Sequence, residues 1–197
     1  MNVGVLLFND FETLDAFGPV EILGRLKDLY KVTFYSQTGG LIHNVHGVAI
    51  MTTKLDSTTV GIDLFLIPGG MGTRKEVDNL LLIGLIIPVA NRCQYVLTVC
   101  TGSALLAKTG LLDDRKATTN KRAWDWVKLQ GLNVNWIHQA RWTVDGKFYT
   151  SSGVSAGMDM TLGFLSDKHG VEFARRVAKE IEYTWQEDKD IDPFSDQ

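Results

Sequence analysis

The chain contains no run of lysine or arginine, and its formal net charge is −3, so it offers no electrostatic footprint for a phosphate backbone. Nucleic acid is therefore not an expected partner. Composition reaches neither extreme: apolar residues make up 45% and charged residues 22%, which disfavours both disorder and a membrane span. The first residues, MNVGVLLFND, lack the basic start, long apolar stretch and small-residue cleavage site of a secretory signal. That pattern points to the cytoplasm. Cysteine is scarce, with Cys93 and Cys100 the only two. They bracket what reads as one buried strand, which holds their Cα atoms roughly 20 Å apart at ~3.3 Å per residue. A disulfide needs about 7 Å or less, so both are expected as free thiols. At 197 residues the chain fits one domain, expected over residues 1–187, with an acidic, frayed tail over 188–197.

What is present alternates. Residues 3–8 (VGVLLF) form an almost continuous apolar run, followed by Leu14, Phe17, Val20, Leu23 and Leu26 at helical spacing. Residues 31–36 read as the next strand and complete a βαβ unit. Residues 39–53 suggest a hairpin beside the main sheet, and residues 63–67 a third strand ending at Pro68-Gly69-Gly70. An apolar stretch over 76–91 has helical spacing, with Pro88 as a kink or restart. Residues 95–99 form a fourth strand running into Cys100, and 103–108 the following helix. A short strand at 116–118, a helix over 121–129, a hairpin around Asp145-Gly146 and helices over 155–165 and 171–184 complete the pattern. Strands alternating with helices predict an open, mostly parallel sheet covered on both faces. Ligands of such sheets sit at the carboxyl ends of the strands. Three loops at those ends hold most of the chemistry: 9–15, 68–73 and 100–103.

The strongest local signal is YVLTVC-TGSALLA, where a buried strand turns into a helix across Cys100-Thr101-Gly102. A strained turn of this kind exposes a nucleophile above the sheet, with the next N–H facing a developing oxyanion. A helix N-terminus also favours thiolate. The competing reading is a buried core cysteine, the commoner fate of a cysteine ending an apolar strand. In Pro68-Gly69-Gly70-Met71-Gly72 the glycines let backbone N–H groups approach a ligand, with Gly70 N–H a second oxyanion donor beside Thr101 N–H. The competing reading, favoured for this motif taken alone, is a plain turn that merely needs positive φ. Asp15, at the start of the first helix, is either a solvated helix-dipole acid or a carboxyl group that reaches the thiol and moves protons. His43 and His46 lie three apart in a β-like stretch and point to opposite faces, so no metal site is expected. His138 and His169 stand alone, Cys93 reads as an inert core thiol, and Trp124, Trp126, Trp136 and Trp142 read as core or dimer packing before pocket wall.

Taken in order, Asp15-x-x-Gly18-Pro19-x-Glu21, Pro68-Gly69-Gly70-x-Gly72, Cys100-Thr101-Gly102, Ala117-Thr118-Thr119 and Gly153-x-x-Ala156-Gly157-x-Asp159 resemble the ThiJ/PfpI superfamily. The match runs over residues 3–185 and is nearest to the isonitrile hydratase-like branch. The resemblance implies a flavodoxin-like α/β domain, a three-layer sandwich with a nucleophile elbow, usually a homodimer and without a cofactor. The family's first-loop acid falls on Asp15, the hydratase branch's threonine on Thr101 and the oxyanion glycine on Gly70, with Gly69 beside it. Members acting as proteases, glyoxalases or deglycases usually carry histidine where this sequence has Asn120. An amide hydrogen-bonds a substrate but does not serve as acid or base at neutral pH, so those activities are disfavoured and a Cys-Asp mechanism on a small electrophile is favoured. The implied function is a cysteine-dependent hydratase or hydrolase. The alternatives are a non-enzymatic redox sensor that uses the same thiol and a ligand-binding module of the kind joined to DNA-binding regulators.

Overall fold

Runs of apolar residues too continuous for a half-exposed strand must be covered on both faces. The computed structural model, which describes residues 1–195, meets that demand. In chain order its elements are β1 (Asn2–Leu6), α1 (Thr13–Arg25), β2 (Lys31–Ser36), β3 (Gly40–His43), β4 (Ala49–Lys54), β5 (Leu64–Ile67), α2 (Thr73–Glu76), α3 (Leu80–Arg92), β6 (Tyr95–Val99), α4 (Gly102–Lys108), β7 (Lys116–Ala117), a 3₁₀ turn (Lys121–Ala123), α5 (Trp124–Lys128), β8 (Asn135–Trp136), β9 (Trp142–Asp145), β10 (Phe148–Ser151), α6 (Ala156–His169) and α7 (Val171–Glu180). Every residue of β5 is buried, as are the last four of β6. Helices α1, α6 and α7 pack as one group, and α2 to α5 as another, making the three layers of a flavodoxin-like α/β domain. Among the described residues no helix is long and apolar enough to cross a membrane.

The main sheet has the order β3-β4-β2-β1-β5-β6-β10-β9. Its interior pairs are parallel, and the antiparallel pairs β3/β4 and β9/β10 lie at its two ends. From β1 the chain first moves outward to β2 and later returns to β5 on the other side. Strand order therefore reverses between β1 and β5, and the loops after β1, β5 and β6 open onto one crevice.

Three expectations need correction. The hairpin of residues 39–53 exists, but β4 pairs in parallel with β2 and so extends the main sheet rather than standing beside it. Pro88 does not restart the helix: α3 runs through it from Leu80 to Arg92. The carbonyl that Pro88 deprives of a helical N–H is that of Gly84, an exposed residue.

The acidic tail is the third. It is docked over 188–195, with Asp192 only 2% exposed; residues 196 and 197 lie outside the described residues. Arg141 N–H donates to Lys189 O at 2.8 Å, and Asp192 N–H to Gln139 O at 2.7 Å. Arg141 Nη1 donates to Asp192 Oδ1 at 3.2 Å, while Lys121 Nζ stands 3.6 Å from Oδ2 without hydrogen-bonding it. Burial depresses Lys121 to about 8, and the charge of Asp192 works against that shift. Asp192 alone of the tail's described acids is thus a countercharge of two buried cations. Removing one partner of a buried pair strands the other's charge, so Asp192→Ala is expected to cost about 3 kcal/mol in urea unfolding; a loss within error of zero would mean the tail only rests on the surface.

Candidate active site

Cys100 is the first residue after β6, and its φ of 58° places it in the left-handed region, a strain of about 1 kcal/mol or more for a residue with a Cβ. Neighbours fasten it there. Its N–H is shared between Ser151 O at 3.2 Å and Ser152 O at 3.1 Å. Its carbonyl accepts from Ser103 Oγ at 3.0 Å and Thr119 Oγ1 at 2.9 Å. Gly102 closes the turn, because a Cβ there would stand 2.3 Å from Ile67 O at the end of β5. The sequence thus builds the elbow, and the residue that carries the thiol is 6% exposed.

Asp15, in the first turn of α1, is fully buried. Its Oδ2 accepts from Gly69 N–H at 3.0 Å. Oδ1 is buried without a hydrogen-bond partner of ordinary geometry, and the thiol of Cys100 and the N–H of Val154 adjoin the carboxyl group. Burial raises Asp15 to about 7, more than the N–H of Gly69 and the thiol of Cys100 lower it. Burial and then the charge of Asp15 push Cys100 upward as well, against Thr101 N–H and the Asn120 amide. The expectation that the helix end makes a low-pKa thiol is therefore corrected: α4 has only seven residues, and loss of solvation is the largest influence on Cys100 and raises it. Two acids in contact do not both ionise readily, so above about pH 7 the pair holds one proton between them.

The glycine loop has a different role from the one expected. Gly70 N–H donates to Thr101 Oγ1 at 3.0 Å, and Thr73 Oγ1 donates to the same hydroxyl at 3.0 Å. Gly70 N–H is thus already satisfied rather than presented to an oxyanion. The Thr101 hydroxyl locks the loop, and its N–H faces the sulfur. The second donor at the sulfur is Asn120. Its Oδ1 accepts from Ala123 N–H at 3.2 Å, which leaves Nδ2 for Cys100. A Cβ on Gly153 would lie 2.1 Å from that Nδ2, so glycine there makes room for the amide.

Gly69 is equally constrained: a Cβ would stand 2.6 Å from Thr101 N and Oγ1 and 2.8 Å from Asp15 Oδ2. Gly69→Ala is expected to displace the acid from the thiol and reduce turnover by about 10²-fold, with about 1–3 kcal/mol lost in stability. Steady-state rates and urea unfolding measured together check both effects, and unchanged kinetics would contradict this geometry.

Cys100, Thr101, Gly70 and Asn120 form the floor of a cleft of about 340 Å³; Asp15 is buried and does not line it. Its walls include residues the sequence did not single out: Glu12, Met71, Arg74, Arg122 and Val154. Val154 is β-branched at φ 51°, an outlier for such a residue, and Gly153 before it belongs to a motif whose role had not been assigned. None of the four histidines lines the cleft. His46 Nδ1 is hydrogen-bonded with Thr13 Oγ1 at 2.7 Å, His169 Nε2 with Tyr30 OH at 2.8 Å, and His138 sits edge-on to Trp124 at 4.5 Å. Cys93 is buried just after α3, and burial pushes its thiol up to about 12.

The chain is 28% identical over 183 residues to isonitrile hydratase of Pseudomonas putida, covering 93% of this chain and 78% of that protein. It is 25% identical over 191 residues to the HTH-type transcriptional regulator GbdR of Pseudomonas aeruginosa, covering 92% of this chain but only 50% of the regulator. A ThiJ/PfpI family protein from Pseudomonas syringae superposes with a TM-score of 0.79 at 23% identity, over 98% of this chain and 76% of that one. Drosophila melanogaster DJ-1beta gives 0.79 at 22%, over 93% and 98%. At these identities the solved structures speak for the fold alone. Residues 1–167 match the DJ-1/PfpI family, and the chain belongs to that family.

Proposed function

We propose that the protein is a cysteine-dependent hydratase of small electrophiles, with hydration of an isonitrile to an N-substituted formamide as its reaction class. The observation that carries this reading is the Asp15 carboxyl buried against the Cys100 thiol, with Cys100 itself lining the floor of an open cleft. The reactive form is the one in which the shared proton sits on Asp15 and the sulfur is thiolate. Sulfur adds to the terminal carbon of R–N≡C, and that carbon takes the proton from Asp15, giving a thioimidate, R–N=CH–S–Cys. The Asp15 carboxylate then removes a proton from water as its oxygen adds to the same carbon, and passes that proton to nitrogen. Loss of the hydroxyl proton to Asp15 and cleavage of C–S release R–NH–CHO and restore the starting pair. Thr101 N–H and the Asn120 amide stabilise the sulfur before it adds and as it leaves.

Peptide and α-oxoaldehyde chemistry would need an imidazole where Asn120 stands. A sensing role needs only the three groups around the sulfur, which would also hold an oxidised sulfur; the cleft beyond them is what favours an enzyme. The homodimer that the family resemblance implies is part of this reading, and sedimentation equilibrium checks it. Full-length protein supplied with cyclohexyl isocyanide is expected to produce N-cyclohexylformamide, followed by NMR. No product from this or other simple isonitriles would remove the hydratase reading.

A further inference from the structure

The chain is acidic overall, with 23 Asp and Glu against 20 Lys and Arg, yet the cleft above Cys100 has two arginines in its wall, Arg74 and Arg122. Among the described residues no carboxylate forms an ion pair with either. Glu12 lines the same cleft, but its Oε1 accepts from Thr13 N–H at 3.1 Å at the start of α1. Arg74 is held in place without a countercharge: its guanidinium lies 4.4 Å over the Trp126 ring, and Nη1 donates to Gly70 O at 3.4 Å. A stacked guanidinium has already given up much of its rotamer freedom, and its planar fork matches a carboxylate.

We propose that the small molecule taken by this cleft carries a carboxylate, bound by Arg74 with Arg122 beside it, so that its electrophilic carbon is presented to Cys100; this rests on the reading of Cys100 as the nucleophile. With Glu12 in the same wall the two arginines exceed the wall's carboxylates by one charge, and the Cys100–Asp15 pair below adds one negative charge above about pH 7, a balance that suits a monoanion such as a carboxylate better than a phosphate dianion. An isocyano carboxylic acid is the substrate class that joins this anchor to the proposed chemistry.

Iodoacetate and iodoacetamide are nearly equal in size and differ in carrying a carboxylate or an amide, and each alkylates a thiolate by forming S–CH₂ and expelling iodide. With the full-length protein, the iodoacetate rate at Cys100 is expected to saturate with concentration. The ratio of iodoacetate to iodoacetamide rates is expected to fall about tenfold in Arg74→Gln and to fall also in Arg122→Gln. Using the ratio cancels any general change in the thiol that a variant introduces. An unsaturable iodoacetate rate with the same ratio in both variants overturns the proposal, as does protection of Cys100 by inorganic phosphate exceeding that by acetate. Alkylation involves no hydration, so formamide from cyclohexyl isocyanide with an unchanged ratio would remove the carboxylate anchor and keep the hydratase. A falling ratio without formamide from any isonitrile would do the reverse.

Discussion

Cys100→Ala is expected to lower formamide production by more than about 10⁴-fold, because it removes the atom that forms the covalent bond. No other thiol reaches the cleft, since Cys93 lies before β6 at its opposite end. The same variant is expected to fold. The elbow is held by backbone bonds to Ser151, Ser152, Ser103 and Thr119, and alanine at this φ carries the same kind of strain as cysteine. Truncating one small buried side chain costs about 1 kcal/mol. Urea unfolding and product formation on the same preparation separate the two effects. Turnover that persists near the wild-type rate in a folded Cys100→Ala protein would end the case for covalent catalysis.

Asp15→Asn is expected to move activity and stability in opposite directions. Turnover should fall by about 10²–10³-fold, because an amide keeps the shape but does not accept and return a proton. Stability should rise. The folded-state pKa of Asp15 is about 7 against an ordinary 3.8, so between those values the native protein holds a proton the unfolded chain has lost. Its contribution is complete below the unfolded value and declines as pH rises through the folded one. Above pH 7 the buried carboxylate leaves wild type about 4 kcal/mol less stable than the same site would be with a neutral group. Asparagine retains an oxygen for Gly69 N–H and has no such slope. Urea midpoints for both proteins across the range from 4 to 8 check the sign, and parallel curves would contradict the buried acid.

Much of the frame is legible from residue order. The unbroken apolar runs of β1, β5 and β6 and the helical spacing of α1 require a covered parallel sheet, and small residues after Val99 require an elbow. Asp15, Gly69, Cys100, Thr101 and Asn120 then meet because the loops carrying the first four end at neighbouring strands. What stayed hidden depends on three-dimensional competition. Whether Gly70 N–H is free depends on the rotamer of Thr101, which turns its hydroxyl back onto the loop. A helix end suggests a lowered thiol, but the extent of burial decides the balance, and here burial prevails. Asp192 looks solvated until Arg141 and Lys121 are seen buried beneath it. Arg74 looks like an ordinary surface cation until Trp126, far along the chain, fixes it over the cleft.

The central claim is that Cys100 and Asp15 act as one unit sharing a proton. The most direct measurement is the rate of Cys100 carbamidomethylation by iodoacetamide as a function of pH, in wild type and in Asp15→Asn. The shared proton predicts a first rise in wild type centred near the Asp15 value of about 7, a second at higher pH where the thiol itself loses its proton, and only the second in Asp15→Asn. A single rise at the ordinary thiol value of about 8.5, the same in both proteins, would show that the two groups titrate independently and would contradict the account.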